Sequence, residues 1–178
     1  MTAQFSNTII YDGEFYDLIG IEGPELFHPS EYGMIPEMLH TACYAGFYCT
    51  FELTEDALKL RGLTLRDKNS NYVKIGDVEP MKDEYQASYE NLDVTIPFSG
   101  QIRLAKDFID ELYVHMGFQA PSSYQTVFDV NIENGRIHDV IDRSKEMEEL
   151  RKGPPEIKRT SSIANFVRRA FSLKMEKE

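Results

Sequence analysis

Residues 41–66 constrain the fold of this chain more than any other stretch. They read TACYAGFYCTFEL, a polar link of Thr54, Glu55 and Asp56, then ALKLRGLTLR. Both arms are rich in aromatic, β-branched and leucine residues, and a short polar link between two such arms predicts a β-hairpin. Side chains alternate with period two along a strand, so Phe47, Cys49, Phe51 and Leu53 share one face of the first arm. Leu58 and Leu60 share a face of the second. Gly62 then shifts the phase, and Leu63 and Leu65 continue with opposite parity, which predicts a β-bulge at the glycine. The stretch fixes fold class better than it fixes function.

Further hairpins flank it. Asp12-Gly13 separates Thr8-Ile9-Ile10-Tyr11 from Glu14-Phe15-Tyr16-Asp17-Leu18, and Asn134-Gly135 separates strands at 124–132 and 136–141. Both dipeptides supply the positive φ angles of a type I′ turn. Tyr124, Thr126, Phe128, Val130 and Ile132 are expected to line one face. Strands are also expected at 72–75, 92–96 and 101–105, with Pro97 and Ser99-Gly100 between the last two. Residues 19–40 are broken by glycine and proline, and an irregular segment of that length is often a binding loop. Its Met34, Ile35, Pro36, Met38 and Leu39 suggest that it packs on the sheet. Phe108, Ile109, Leu112 and Tyr113 recur at helical spacing, and Tyr85 and Tyr89 allow a short helix within 77–90. Ser144 is a candidate cap for a charged helix carrying Met147 and Leu150. Gly153-Pro154-Pro155 breaks the chain, and Ser161 or Ser162 is expected to cap a basic amphipathic helix on which Ile163, Phe166, Val167, Ala170, Phe171 and Lys174 form one stripe. The fold expected is α+β: a mainly antiparallel, meander-like sheet of about eight strands in residues 1–142, a short helix near Phe108, and a charged linker with a C-terminal helical appendage in 143–178.

Charge narrows the partners. The formal net charge is −11, and residues 151–178 hold eight basic and three acidic side chains, so a tail of +5 leaves −16 on the first 150 residues. Such a body repels phosphate backbones and attracts basic surfaces, which excludes nucleic acid and favours a basic protein. No apolar run is long enough for a membrane helix, and the N-terminus has no basic and apolar export signal. Cys43 and Cys49 are placed on one strand, too far apart to bond, which points to free thiols and the cytoplasm. The basic tail has three uses open to it: docking on the acidic body, contact with a partner or a second copy, or a membrane surface.

Chemistry is thinly signalled. Asp67-x-Asn69-x-Asn71 resembles the opening of a calcium loop, but Tyr72 and Val78 stand where glycine and glutamate are required, so a polar turn is expected. Of His28, His40, His115 and His138, only His40 has a close cysteine, Cys43, and no second pair completes a zinc site. No nucleophile elbow, phosphate loop or dinucleotide fingerprint occurs, so no metal or cofactor is expected. A thiol site at Cys43 with His115 as its base is the catalytic alternative.

Three segments carry a resemblance: TACYAGFYCTFEL at 41–53, PFSGQIR at 97–103, and YVHMGF at 113–118 with Tyr124 and IENGRI at 132–137. In this order they resemble a group of small uncharacterised bacterial proteins with a Thr-Ala-Cys-Trp-Arg-Gly-Tyr strand, a Phe-Ser-Gly-x-x-Arg turn and a Tyr-Val-His-Met-Gly-Tyr segment. This chain has Tyr44 and Ala45 where the group tends to have tryptophan and arginine. The resemblance implies a bacterial cytosolic protein and, by analogy of class, an antidote to a delivered toxin. The function expected is therefore a non-enzymatic immunity protein that masks a basic toxin. Its contact surface is expected at Asp77, Glu79, Asp83, Glu84 and Glu90 and on the loop from His28 to His40. The alternatives are a small-ligand or cysteine-dependent protein using Cys43 and His115, and a module that self-associates through its basic tail.

Overall fold

A computed structural model describes residues 2–153 and 170–175. Ten strands form one sheet: β1 (Thr8–Tyr11), β2 (Glu14–Glu22), β3 (Phe47–Leu53), β4 (Leu58–Leu65), β5 (Met81–Lys82), β6 (Ala87–Tyr89), β7 (Val94–Thr95), β8 (Gly100–Phe108), β9 (Tyr124–Glu133) and β10 (Arg136–Asp142). The helix α1 (Ser144–Lys152) follows. The spatial order is β10-β9-β8-β2-β1-β3-β4-β6-β5, with β7 beside β6 on the outer edge of β4.

The sheet dominates, as expected, but it is mixed and not a meander. Thr8 to Tyr11 of β1 run parallel to Thr50 to Leu53 of β3. Parallel neighbours need a long crossover, and residues 23–46 supply it, carrying the chain from β2 across to the far side of β1. The hairpins at Asp12-Gly13 and Asn134-Gly135 form with positive φ at both turn residues. The bulge also forms: Thr50 faces Gly62 and Phe51 faces Leu60, so Arg61 is the extra residue. The bulge keeps Leu58, Leu60, Leu63 and Leu65 all in the core across the phase shift.

Several local expectations give way to burial. Residues 77–90 contain the hairpin β5–β6 and not a helix, because Ala87 and Tyr89 alternate inward opposite Leu65 and Leu63. Residues 72–75 are a loop closed by a turn between Ile75 and Val78, with Ile75 anchoring it in the core. Phe108 ends β8, and only a 3-10 turn, Asp110–Leu112, follows it. β2 runs on to Glu22, so the crossover between β2 and β3 starts later than expected, at residue 23, and runs on to residue 46. Cys43 lies in the turn before β3, and Gly46, at φ 81°, swings the chain into the strand. Ser144 is the first residue of α1, where Asp142 accepts its N–H at 2.8 Å; the Ser144 hydroxyl instead accepts the Val127 N–H.

The main core lies on one face, from Ile9, Leu18 and Leu104 to Phe51, Leu60 and Tyr89. The other face is covered where α1 sets Met147 against Ile19, Ala105 and Val127. The basic helix expected from Ser161 onward falls largely outside the described residues. Residues 170–175 do lie on the body: Ile21 N–H donates to Leu173 O at 2.6 Å and Met175 N–H to Ile21 O at 2.9 Å, extending the sheet where β1 has ended. No helix among the described residues is long and apolar enough to cross a membrane.

Candidate interaction surface

The two segments expected to make contact come together at the end of β4. Tyr89 of β6 is buried there; its hydroxyl donates to Val73 O at 2.7 Å and lies 3.6 Å from Met34 Sδ of the crossover. Burial pushes that hydroxyl up to about 12. Asp67, just past β4, accepts N–H groups from Ile35, Asn69 and Asn71. Burial raises its carboxyl, but the three N–H bonds outweigh that and hold it below the usual carboxylate range. Asp67 is therefore the organiser of a polar turn, and it ties residue 35 of the crossover to the loop that leads into β5. Met34 is buried as expected, whereas Ile35 and Met38 face outward.

On this base sits a short, acidic sheet edge. β5 pairs only with β6, and its other side carries no strand among the described residues. Met81 and Tyr85 are 52% and 64% exposed. Asp83 accepts the Glu84 N–H, and Glu84 accepts the Tyr85 hydroxyl at 2.8 Å. Asp77 and Glu79 lie 3.9 and 4.0 Å from Lys74, loose contacts at an exposed site. Glu90 is exposed, and no ion pair holds it among the described residues. A two-residue edge strand with charge beside it resists pairing with a copy of itself, yet exposed aromatic and thioether groups offer apolar contact to a partner.

His28 and His40 are built into turns of the same crossover. His28 caps the 3-10 turn Pro29–Tyr32, its Nδ1 accepting from Ser30 N–H at 3.2 Å while its ring stands edge-on to Phe47. His40 Nδ1 accepts the Ala42 N–H, and its ring meets Phe5 edge-on at 5.1 Å. Cys43 and His115, the residues of the thiol alternative, each engage other groups. Cys43 Sγ donates to Phe47 O at 3.4 Å, and burial pushes the thiol up, away from the thiolate. His115 packs its ring on Tyr113, and no hydrogen bond or ring contact joins it to Cys43 among the described residues. Cys49 is fully buried and free, as is the buried Cys43. No group of three metal-ligating side chains occurs among the described residues.

The strongest electrostatic constellation was not anticipated. Asp129, 1% exposed, receives Arg103 Nε at 2.5 Å and Nη2 at 2.7 Å, and Arg143 Nε at 3.1 Å. Arg143 also reaches Glu146 at 3.0 Å. Bonding to Asp129 raises the Arg103 guanidinium further, against the opposing effect of burial. These groups floor a groove of about 460 Å³ between α1, β8–β9 and residues 172–175. Arg103 and Asp129 are direct cross-strand partners, so the pair becomes legible only once the β8–β9 register is known. The chain matches no known protein family, no curated protein and no solved structure in the comparisons made.

Proposed function

We propose that this is a non-enzymatic binding protein whose partner is a basic protein, and that in its most specific form it is an immunity protein neutralising a basic toxin. The observation that carries the reading is the β5–β6 edge: exposed Met81 and Tyr85 set among Asp77, Glu79, Asp83, Glu84 and Glu90 at the end of the sheet. Interfaces combine aromatic and methionine anchors with a charged rim, and complementary charge sets encounter rate and selects the partner. The crossover with Ile35 and Met38 borders the same edge, so the surface has two elements and one anchored base. The large negative charge of the body supports steering toward a cationic surface. The Cys43–His115 alternative gains no support from a thiol bonded to a backbone carbonyl and raised by burial.

The test is capture from lysate of the source organism on wild-type protein and on Asp83→Lys/Glu84→Lys/Tyr85→Ala. The reading expects one basic protein held stoichiometrically by wild type, released by salt, and lost with the triple variant. Co-expression of that protein should be toxic and relieved by wild type alone. Equal capture by both proteins would move the interface elsewhere, and a partner that is not basic would refute the reading.

A further inference from the structure

A second feature lies on the opposite side of β1 from the acidic edge. Asp17, in the middle of β2, lines an open cavity of about 380 Å³ together with Phe5, Phe108, Tyr113, Tyr124 and Gln119. The rings of Phe108 and Tyr124 meet at 5.2 Å and 69°, and those of Phe108 and Tyr113 at 6.4 Å and 86°, so consecutive walls turn nearly square to one another. Phe5 and Tyr113 stay half-exposed at the mouth. The volume falls in the range of small-ligand sites.

The Asp17 carboxylate has few partners for a half-buried group. Asp17 Oδ2 accepts the Tyr124 hydroxyl at 2.9 Å, and no cation pairs with Asp17 among the described residues. Tyr124 is the only hydrogen-bond partner of the Asp17 carboxyl among the described residues, and Asp17 itself lines the cavity. Burial pushes the Asp17 carboxyl up, and the Tyr124 hydroxyl offsets only part of that. The contrast with Asp129, with two arginines, and Asp67, with three backbone N–H groups, is direct. A partly desolvated carboxylate without a counter-charge among the described residues, in a cavity lined by four aromatic side chains, matches one ligand chemistry: an organic cation that can trade water for aromatic contact.

We infer that the cavity between β2, β9 and the 108–119 loop is a binding site for an organic ammonium group, with Asp17 as the counter-ion and Phe5, Phe108, Tyr113 and Tyr124 as the cage. The group comes either from a free amine or from a lysine side chain of a bound protein. The site does not depend on the acidic edge, so either can stand without the other.

Titration of the full chain with choline, with its neutral isostere 3,3-dimethyl-1-butanol, and with N-acetyl-lysine-N-methylamide tests the inference, read by the ring resonances of Phe108, Tyr113 and Tyr124. A saturable response is expected to at least one cation and none to the neutral isostere. Asp17→Asn, which keeps an acceptor for Tyr124, should weaken binding at least tenfold. Tyr113→Ala, at an exposed wall, should weaken it less. Tighter binding of choline assigns a free quaternary amine, and tighter binding of the lysine amide assigns a protein side chain; both support the site. Silence with both cations, an equal response to the isostere, or full affinity in the folded Asp17→Asn protein would overturn it.

Discussion

The two ends of the sheet handle charge in opposite ways. At the α1 end, β8 and β9 pair over eight residue positions, a helix covers one face, and Asp129 is clamped by Arg103 and Arg143. At the other end, β5 and β6 are two and three residues long, and Asp77, Asp83, Glu84 and Glu90 are exposed. A buried carboxylate must be paired to be tolerated, and once paired with that geometry it locks its neighbours. An exposed carboxylate costs little and stays available for a partner. One end therefore holds the fold, and the other presents a surface.

Asp129→Ala should produce the largest effect of any change considered. It strips a doubly bonded carboxylate and leaves two arginines without it, a loss of about 3–5 kcal/mol in denaturant unfolding; a loss below that of an ordinary surface change would break the contrast between the ends. Gly46→Ala comes next. A Cβ there would sit 2.5 Å from Glu37 O at φ 81°, so we expect about 2 kcal/mol of destabilisation, with lost protection of crossover amides in hydrogen exchange.

Asp67→Ala should cost about 2 kcal/mol near neutral pH, because three N–H groups lose their acceptor. The Asp67 carboxyl is lowered in the folded state, so its contribution is present above the unfolded value and disappears as pH falls through the folded one. The variant's deficit should then shrink in acid. Asp17→Asn should go the other way. The Asp17 carboxyl is raised on folding, so its ionised form opposes folding at neutral pH, and that opposition is relieved as pH falls through the raised value toward the unfolded one. The variant should be more stable than wild type at neutral pH and converge on it in acid. Urea titrations across the acid range read both slopes. The smallest stability effect belongs to Met81→Ala/Tyr85→Ala, within about 0.5 kcal/mol of wild type, although partner capture should fall sharply.

Much of the sheet was legible from the residues. Asp12-Gly13, Asn134-Gly135 and the phase slip at Gly62 are local signals whose chemistry permits one reading, and all three appear as expected. The mixed order was hidden, because nothing local to β1 says that β3, some forty residues away, pairs alongside it in parallel. Residues 77–90 misled for a related reason: the four-residue spacing of Tyr85 and Tyr89 suits a helix, but the pairing of Ala87 and Tyr89 with β4 decides. Cys43 and Cys49 looked like one strand because the turn is set by Gly46, whose positive φ leaves no mark in the period-two pattern. At the sites, the acidic run was visible by composition, whereas Asp17 and Asp129 were not. Each sits in an ordinary strand, and its character comes from partners on other strands: Tyr124 for one, Arg103 for the other.

Hydrogen–deuterium exchange on the complex with the captured basic protein tests the central claim most directly. The account predicts new protection over residues 28–40 and 77–90, with α1, β9 and β10 unchanged. Protection centred on α1, β9 and β10, with the β5–β6 edge exchanging as in the free protein, would contradict it.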